Sequence, residues 1–272
     1  MAKRNRSSDQ KAIDRRRKEG RGSGRGELYK PWLRIQDVAS HGLVTRIKGW
    51  KTGRIHHLMS NLELRYFLTL EWNSNVIDIR EQYPLDLEET LAIAKKLGIA
   101  HPLDRRTKYP VVMTTDFVVT VNRPFGFIDV ARTTKYIKEL YKPRVAEKFE
   151  VERMTWVPRD VNWGIVTERD IDFVLAKNVR WVHPFRYISR FQNLTDECVR
   201  HVEKFLAPRL IQEKEVLSAL AGECDRKLGI KVGTSLKVVR HLIANRRIQT
   251  NMRILIYPRR VLILTAVPTI ML

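Results

Sequence analysis

Two carboxylates set inside apolar, β-branched runs are the residues of this chain best placed to do chemistry. Asp116 lies in VVMTTDFVVTV (residues 111–121) and Asp129 in FGFIDVAR (residues 125–132). Both runs have the composition of strands. Asn122, Arg123 and Pro124 between them supply turn chemistry. On a pleated strand Asp116, Val118 and Thr120 share one face, as do Phe127, Asp129 and Ala131 on the next. A hairpin pairing is therefore expected to bring Asp116 and Asp129 together near mid-strand. Carboxylates held that way repel each other and lose hydration. A hard divalent cation relieves both costs. The alternative is a half-buried hairpin with both acids facing solvent.

A helix is needed to close such a cage. SNLELRYFLTLEW (residues 60–72) has apolar residues at helical spacing. Ser60 is an N-cap, with Glu63 three residues later, so Glu63 has a structural alternative as the partner in a capping box. Further elements follow in order. They are a strand-like run at 75–84, a helix within 85–98 ended by Gly98, a basic loop at 104–109, helices at 135–141 and 145–155 interrupted at Pro143, and a buried strand at 162–167. Lys148, Glu150, Glu152 and Arg153 read as a surface ion-pair face. His56 and His57 are adjacent and lack the spacing of a helical zinc pair.

The formal charge is +21, from 51 Lys+Arg against 30 Asp+Glu, which favours a polyanionic partner, most simply nucleic acid. Apolar residues make up 43% of the 272, enough for a packed core. No apolar run is long enough to span a bilayer, and the basic N-terminus has no following apolar segment of a signal peptide. Cys198 and Cys224 have no paired metal-site spacing, which fits a reducing, cytoplasmic setting.

The partition expected is a basic flexible arm at 1–28, a catalytic domain at 29–189 and a winged-helix-like domain at 190–272. Within the arm, residues 8–19 could form a short basic helix. Tyr29 to Trp32 begin the compact part. Val179 to Val182 read as a strand-like fragment. Helices at 196–205, 212–220 and 234–244 precede a small strand pair at 247–250 and 253–257. Residues 234–245, with Lys237, Arg240 and His241, form a candidate recognition helix.

Helix-borne Glu63, strand Asp116 and then Asp129 resemble the restriction-endonuclease-like nuclease fold, whose motif is Asp, a gap, then Glu/Asp/Gln-x-Lys. More narrowly, the chain resembles the TnsA family, the endonuclease subunits of heteromeric cut-and-paste transposases. The segments that carry this are YKPWLRIQDV, GRIHHLMSNLELRYFLTLEW, VIDIREQYPL, TTDFVV, FIDVARTTKY, EKFEVERMTW and NWGIVTERDI.

The resemblance implies an α/β nuclease core and a Mg²⁺ site, with Mn²⁺ as substitute, built from Glu63, Asp116, Asp129 and the Val130 carbonyl. It implies cleavage of the non-transferred strand at the ends of a transposon in bacterial, nucleoid-associated DNA. It also implies a companion DDE-type transposase and an ATPase regulator. The family lysine should stand at position 131, where this chain has Ala131. A cleavage-deficient protein is the expectation. Three origins stay open: an introduced alanine, migration of the lysine to Lys135, or a natural pseudo-nuclease that serves as a DNA-binding assembly subunit. A free-standing restriction or repair nuclease is the remaining rival.

Overall fold

In the computed structural model the chain is described over residues 9–37, 43–191, 194–212 and 214–266, so Lys3, Arg4 and Arg6 of the expected arm lie outside the described residues. Two compact units divide between Ile171 and Asp172.

The first unit opens with α1 (Gln10–Lys18), capped by Asp9, whose side chain accepts from the Ala12 amide. The residues after it are not a loose connector, which corrects the expected flexible arm. Ile13 is buried with Trp32, Leu87 and Val112, and the Arg16 guanidinium lies over the Trp32 ring. Gly22 sits at φ 83°, where an added Cβ would come within 2.2 Å of Pro84. Only glycine lets the chain pass there.

A basic hairpin follows, β1 (Thr45–Lys48) paired antiparallel with β2 (Ile55–Leu58). Then come α2 (Asn61–Trp72), β3 (Val76–Pro84), α3 (Leu87–Lys96), β4 (Thr114–Arg123) and β5 (Gly126–Thr134). The short α4 (Ile137–Leu140), α5 (Pro143–Trp156) and β6 (Asn162–Val166) complete the unit. Pro143 opens α5 at its first turn, where the missing amide costs nothing.

The sheet runs β3-β4-β5-β6. β3/β4 and β4/β5 are antiparallel, and β5/β6 is parallel by way of the α4–α5 crossover. On one face Val118 and Ala131 pack with Ala94 of α3 and with Val151 and Trp156 of α5. On the other, Phe117 meets the Tyr66 ring of α2 at 5.4 Å. The helices thus clamp the sheet from two sides.

The second unit carries α6 (Phe173–Val182), α7 (Asp196–Ile211), α8 (Leu217–Lys227), α9 (Thr234–Ala244), β7 (Gln249–Thr250) and β8 (Leu264–Ala266). Two expectations are corrected. Residues 179–182 are the last turn of α6, because Asp172 caps a helix that buries Ala176, Val179 and Val182 on one face. β7 pairs with β8 rather than with residues 253–257, which are held instead by Asn178. Its amide donates to the Met252 and Ile254 carbonyls, and its oxygen accepts from the Ile256 amide. Among the described residues, no helix is long and apolar enough to cross a membrane.

Candidate active site

Glu63 sits in the first turn of α2. Its amide donates to the Ser60 hydroxyl at 3.1 Å. Its carboxylate accepts from the Met59 amide at 2.8 Å, one residue before the donor a capping box would use. The side chain is buried, at 5% exposure. Asp116 on β4 accepts from both the amide and the hydroxyl of Thr134 at 2.8 Å. Burial, and then the charge of Asp116, push the Glu63 carboxyl up to about 8. Burial likewise raises Asp116, against the pull of Thr134, Lys135 and Gln82. Glu63 and Asp116 are therefore neighbours competing for the same deficit of positive charge.

Between them stands Gln82 of β3. Its amide donates to Glu63 Oε2 at 3.3 Å and also hydrogen-bonds Asp116, while its oxygen accepts from the Thr114 hydroxyl at 3.4 Å. Gln82 has φ 50°, an uncommon backbone state for a residue with a side chain. Glu81 fixes the strand beside it. This wholly buried acid accepts from Arg54 Nη1 at 2.8 Å and meets His56 Nδ1 at 2.8 Å. Burial opposes its ionisation, but His56 and Arg54 outweigh that and hold its pKa well below the usual range. Arg54 and His56 belong to the β1–β2 hairpin segment that leads into α2. The cluster therefore sets Glu63 and Gln82 relative to each other.

Lys135 lies one residue past the end of β5 and is half-buried. Its amide donates to the Val166 carbonyl at 3.0 Å, and its charge is felt by Asp116. Glu152 of α5 lies behind the strand. Its Oε1 accepts from Thr115 at 2.7 Å, Thr133 at 2.6 Å and Trp163 Nε1 at 2.9 Å. It is buried, contrary to the expected surface ion-pair face, which only Glu150 and Arg153 form.

The expected partner of Asp116 is elsewhere. Asp129 stands opposite Thr120 in the ladder, four residues along β4 from Asp116, or about 13 Å. It is also on the other face. Thr134 contacts Asp116, and strand alternation puts Thr134 opposite to Asp129, Ala131 and Thr133. Thr115 and Thr133 both reach Glu152, so the alternation expected for residues 116–120 slips beside Asp116. Asp129 instead accepts from Thr120 at 2.5 Å and pairs with Arg80 at 2.7 Å and Arg25 at 3.0 Å. Against partial burial, those three keep its pKa below the ordinary value.

Ala131 is 0% exposed inside the apolar cluster, so it is not a slot from which a lysine could reach Asp116. Val130 pairs with Val119 on one side and Asn162 on the other. Main-chain carbonyls of such a strand point in the sheet plane, not into a side-chain pocket. No cluster of three or more His, Cys, Asp or Glu suited to a metal occurs among the described residues. Gln82 and Lys135 act on Asp116 from the front, and Glu152 lies behind it. Only the first of them carried no signal, because an amide in a strand looks like any polar surface residue.

A mixed sheet clamped by helices, with two acids and an amide converging from α2, β3 and β4, defines a restriction-endonuclease-like core. A helical, winged-helix-like unit follows it. The family described as TnsA-like endonuclease N terminal matches residues 73–168, and TnsA endonuclease C terminal matches 170–252. The chain is also 39% identical over 255 residues to the transposon Tn7 transposition protein TnsA of Escherichia coli, covering 92% of this chain and 89% of that protein. This chain belongs to the TnsA endonuclease family.

Proposed function

We propose that this chain is a Mg²⁺-dependent endonuclease subunit that cuts the non-transferred strand at transposon ends. In this reading it works beside a companion DDE-type transposase and an ATPase regulator. Family membership gives the class. The carrying observation is the convergence of Glu63 and Asp116, two buried acids whose raised proton affinity marks missing positive charge. Two carboxylates, with phosphate oxygens and water completing the shell, suit Mg²⁺, which is seldom caged by protein alone. When bound, the ion supplies a water of lowered pKa and a counter-charge for the phosphate.

The chain's own residues do the rest. Thr134 and Gln82 aim Asp116, and the Met59 amide aims Glu63. Lys135 is the cation of the site, placed to stabilise charge that develops on the phosphate or to orient the attacking water. This replaces the expectation of a cleavage-deficient protein, which rested on Ala131. The chain is an active nuclease in which the lysine follows the strand instead of lying within it.

The test compares the protein with K135A and A131K on end-bearing duplex, with Mg²⁺ and the companion transposase. Nicking by the unaltered protein and a loss of roughly 100-fold or more in K135A are expected. A131K should gain nothing and lose on the order of 3 kcal/mol of stability, since it buries an unpaired charge. Cleavage restored by A131K and unaffected by K135A would reinstate the alanine-for-lysine account.

A further inference from the structure

The β4–β5 hairpin ends in an apolar tip that nothing in the first unit covers. The ladder closes at Arg123 opposite Gly126, which leaves Pro124 and Phe125 as a two-residue turn. Proline fixes its own φ, and Gly126 takes φ 121°, so the turn is tight and stiff. Residues 122–128 are all exposed, and Phe125 shows its whole side chain, at 104%. Phe127 and Ile128 are exposed next to it. Ile77 of β3 is exposed at the same end of the sheet, where Val76 pairs with Val121. Phe127 and Ile128 face opposite sides of the hairpin, so the tip shows apolar side chains on both faces with Phe125 at its apex, a concentration that marks a contact surface.

The chemistry around the patch selects the partner. Residues 122–128 read NRPFGFI: one arginine, one amide, no acid. The nearest acid, Asp129, is neutralised by Arg80 and Arg25. The whole chain carries +21. Proteins that kink DNA through the minor groove combine Arg or Asn on the groove edges with an inserted apolar wedge, commonly Phe or Pro. Arg123 lies seven residues along the same strand from Asp116, about 23 Å, or close to seven base pairs of duplex.

We propose that the hairpin tip is a DNA wedge. Pro124 holds Phe125 against the minor groove, where the ring partly unstacks one base step, and Asn122 and Arg123 grip the groove edges. The proposal rests on the family's DNA substrate, and not on which side chains perform the cleavage. A strained duplex some base pairs from the cut would favour end DNA already deformed by the assembly.

Unstacking changes twist, so the test is topological. A closed-circular plasmid is relaxed by topoisomerase with and without the protein, in EDTA to prevent cutting, and then deproteinised. The unaltered protein should shift the topoisomer distribution. F125A should lose most of that shift while keeping duplex affinity within about twofold, because phosphate contacts dominate affinity. F125L, another wedge side chain, should keep much of it. Phe125 is fully exposed, so these variants leave the fold intact. An unaltered protein that leaves the topoisomers unmoved overturns the proposal. So does an F125A protein that moves them equally, and if F125A also weakens cleavage by the assembly, the tip is a protein-docking surface. Running in EDTA separates either failure from failure of the cleavage reading.

Discussion

Glu152 shows how a single residue behind the strand governs the site in front of it. Three donors converge on one of its oxygens, and two of them, Thr115 and Thr133, flank Asp116 and Thr134 in sequence. Burial raises its carboxyl to about 7 in spite of those donors. The folded protein then keeps a proton that the unfolded chain, near 4.5, has lost. Stability from this group is full below the unfolded value and falls as pH rises from about 4.5 to about 7, by on the order of 3 kcal/mol. E152Q keeps an accepting oxygen and cannot ionise, so the melting temperature of this variant should decline less over that window. An unchanged slope in E152Q would remove Glu152 from the account. At this scale the sequence was legible for where Glu63 and Asp116 stand, in the first turn of a helix and on a strand. It misled at Asp129, because strand period places residues on faces only while the pleat is regular, and at Ala131, which the resemblance to the family motif and not the pleat had singled out. The slip beside Asp116 is invisible in the letters.

Among the elements, α1 is the one most at odds with its composition. QKAIDRRRK reads as a charged tail, yet one apolar residue, Ile13, fills a gap between Trp32, Leu87 and Val112. Arg16 covers Trp32 with its stem and guanidinium. I13A should therefore cost about 2–4 kcal/mol in chemical denaturation, whereas a loose arm would show no change. The strands and helices of the core were legible because their apolar periods are long and bounded by Ser60, Gly98 and Pro143. Residues 179–182 were not, since two valines and a tryptophan around Arg180 fit either a strand or a helix turn. α9 was legible as a helix but not as a packed one. Val238, Val239, Leu242 and Ile243 are buried. Of its basic side chains, Lys237 lies over Phe191, Arg240 over Trp181 and Phe185, and His241 meets the Phe185 carbonyl. Arg240 and His241 are thus engaged within their own unit, while Lys237 stays exposed on the same helix.

Across the whole molecule, the +21 charge and the order of segments pointed to DNA and to the family before any geometry was known, while the site itself depends on long-range assembly. Glu63, Gln82 and Asp116 come from three elements, and Glu81 with Arg54 and His56 locks two of them together. No local pattern encodes that meeting. The most direct test of it is the position of Mn²⁺ in crystals of the unaltered protein, located by its anomalous signal. The account predicts a peak between the carboxylates of Glu63 and Asp116, lost in D116N and kept in D129N. A peak at Asp129 and the Val130 carbonyl, or one that survives D116N, would contradict it.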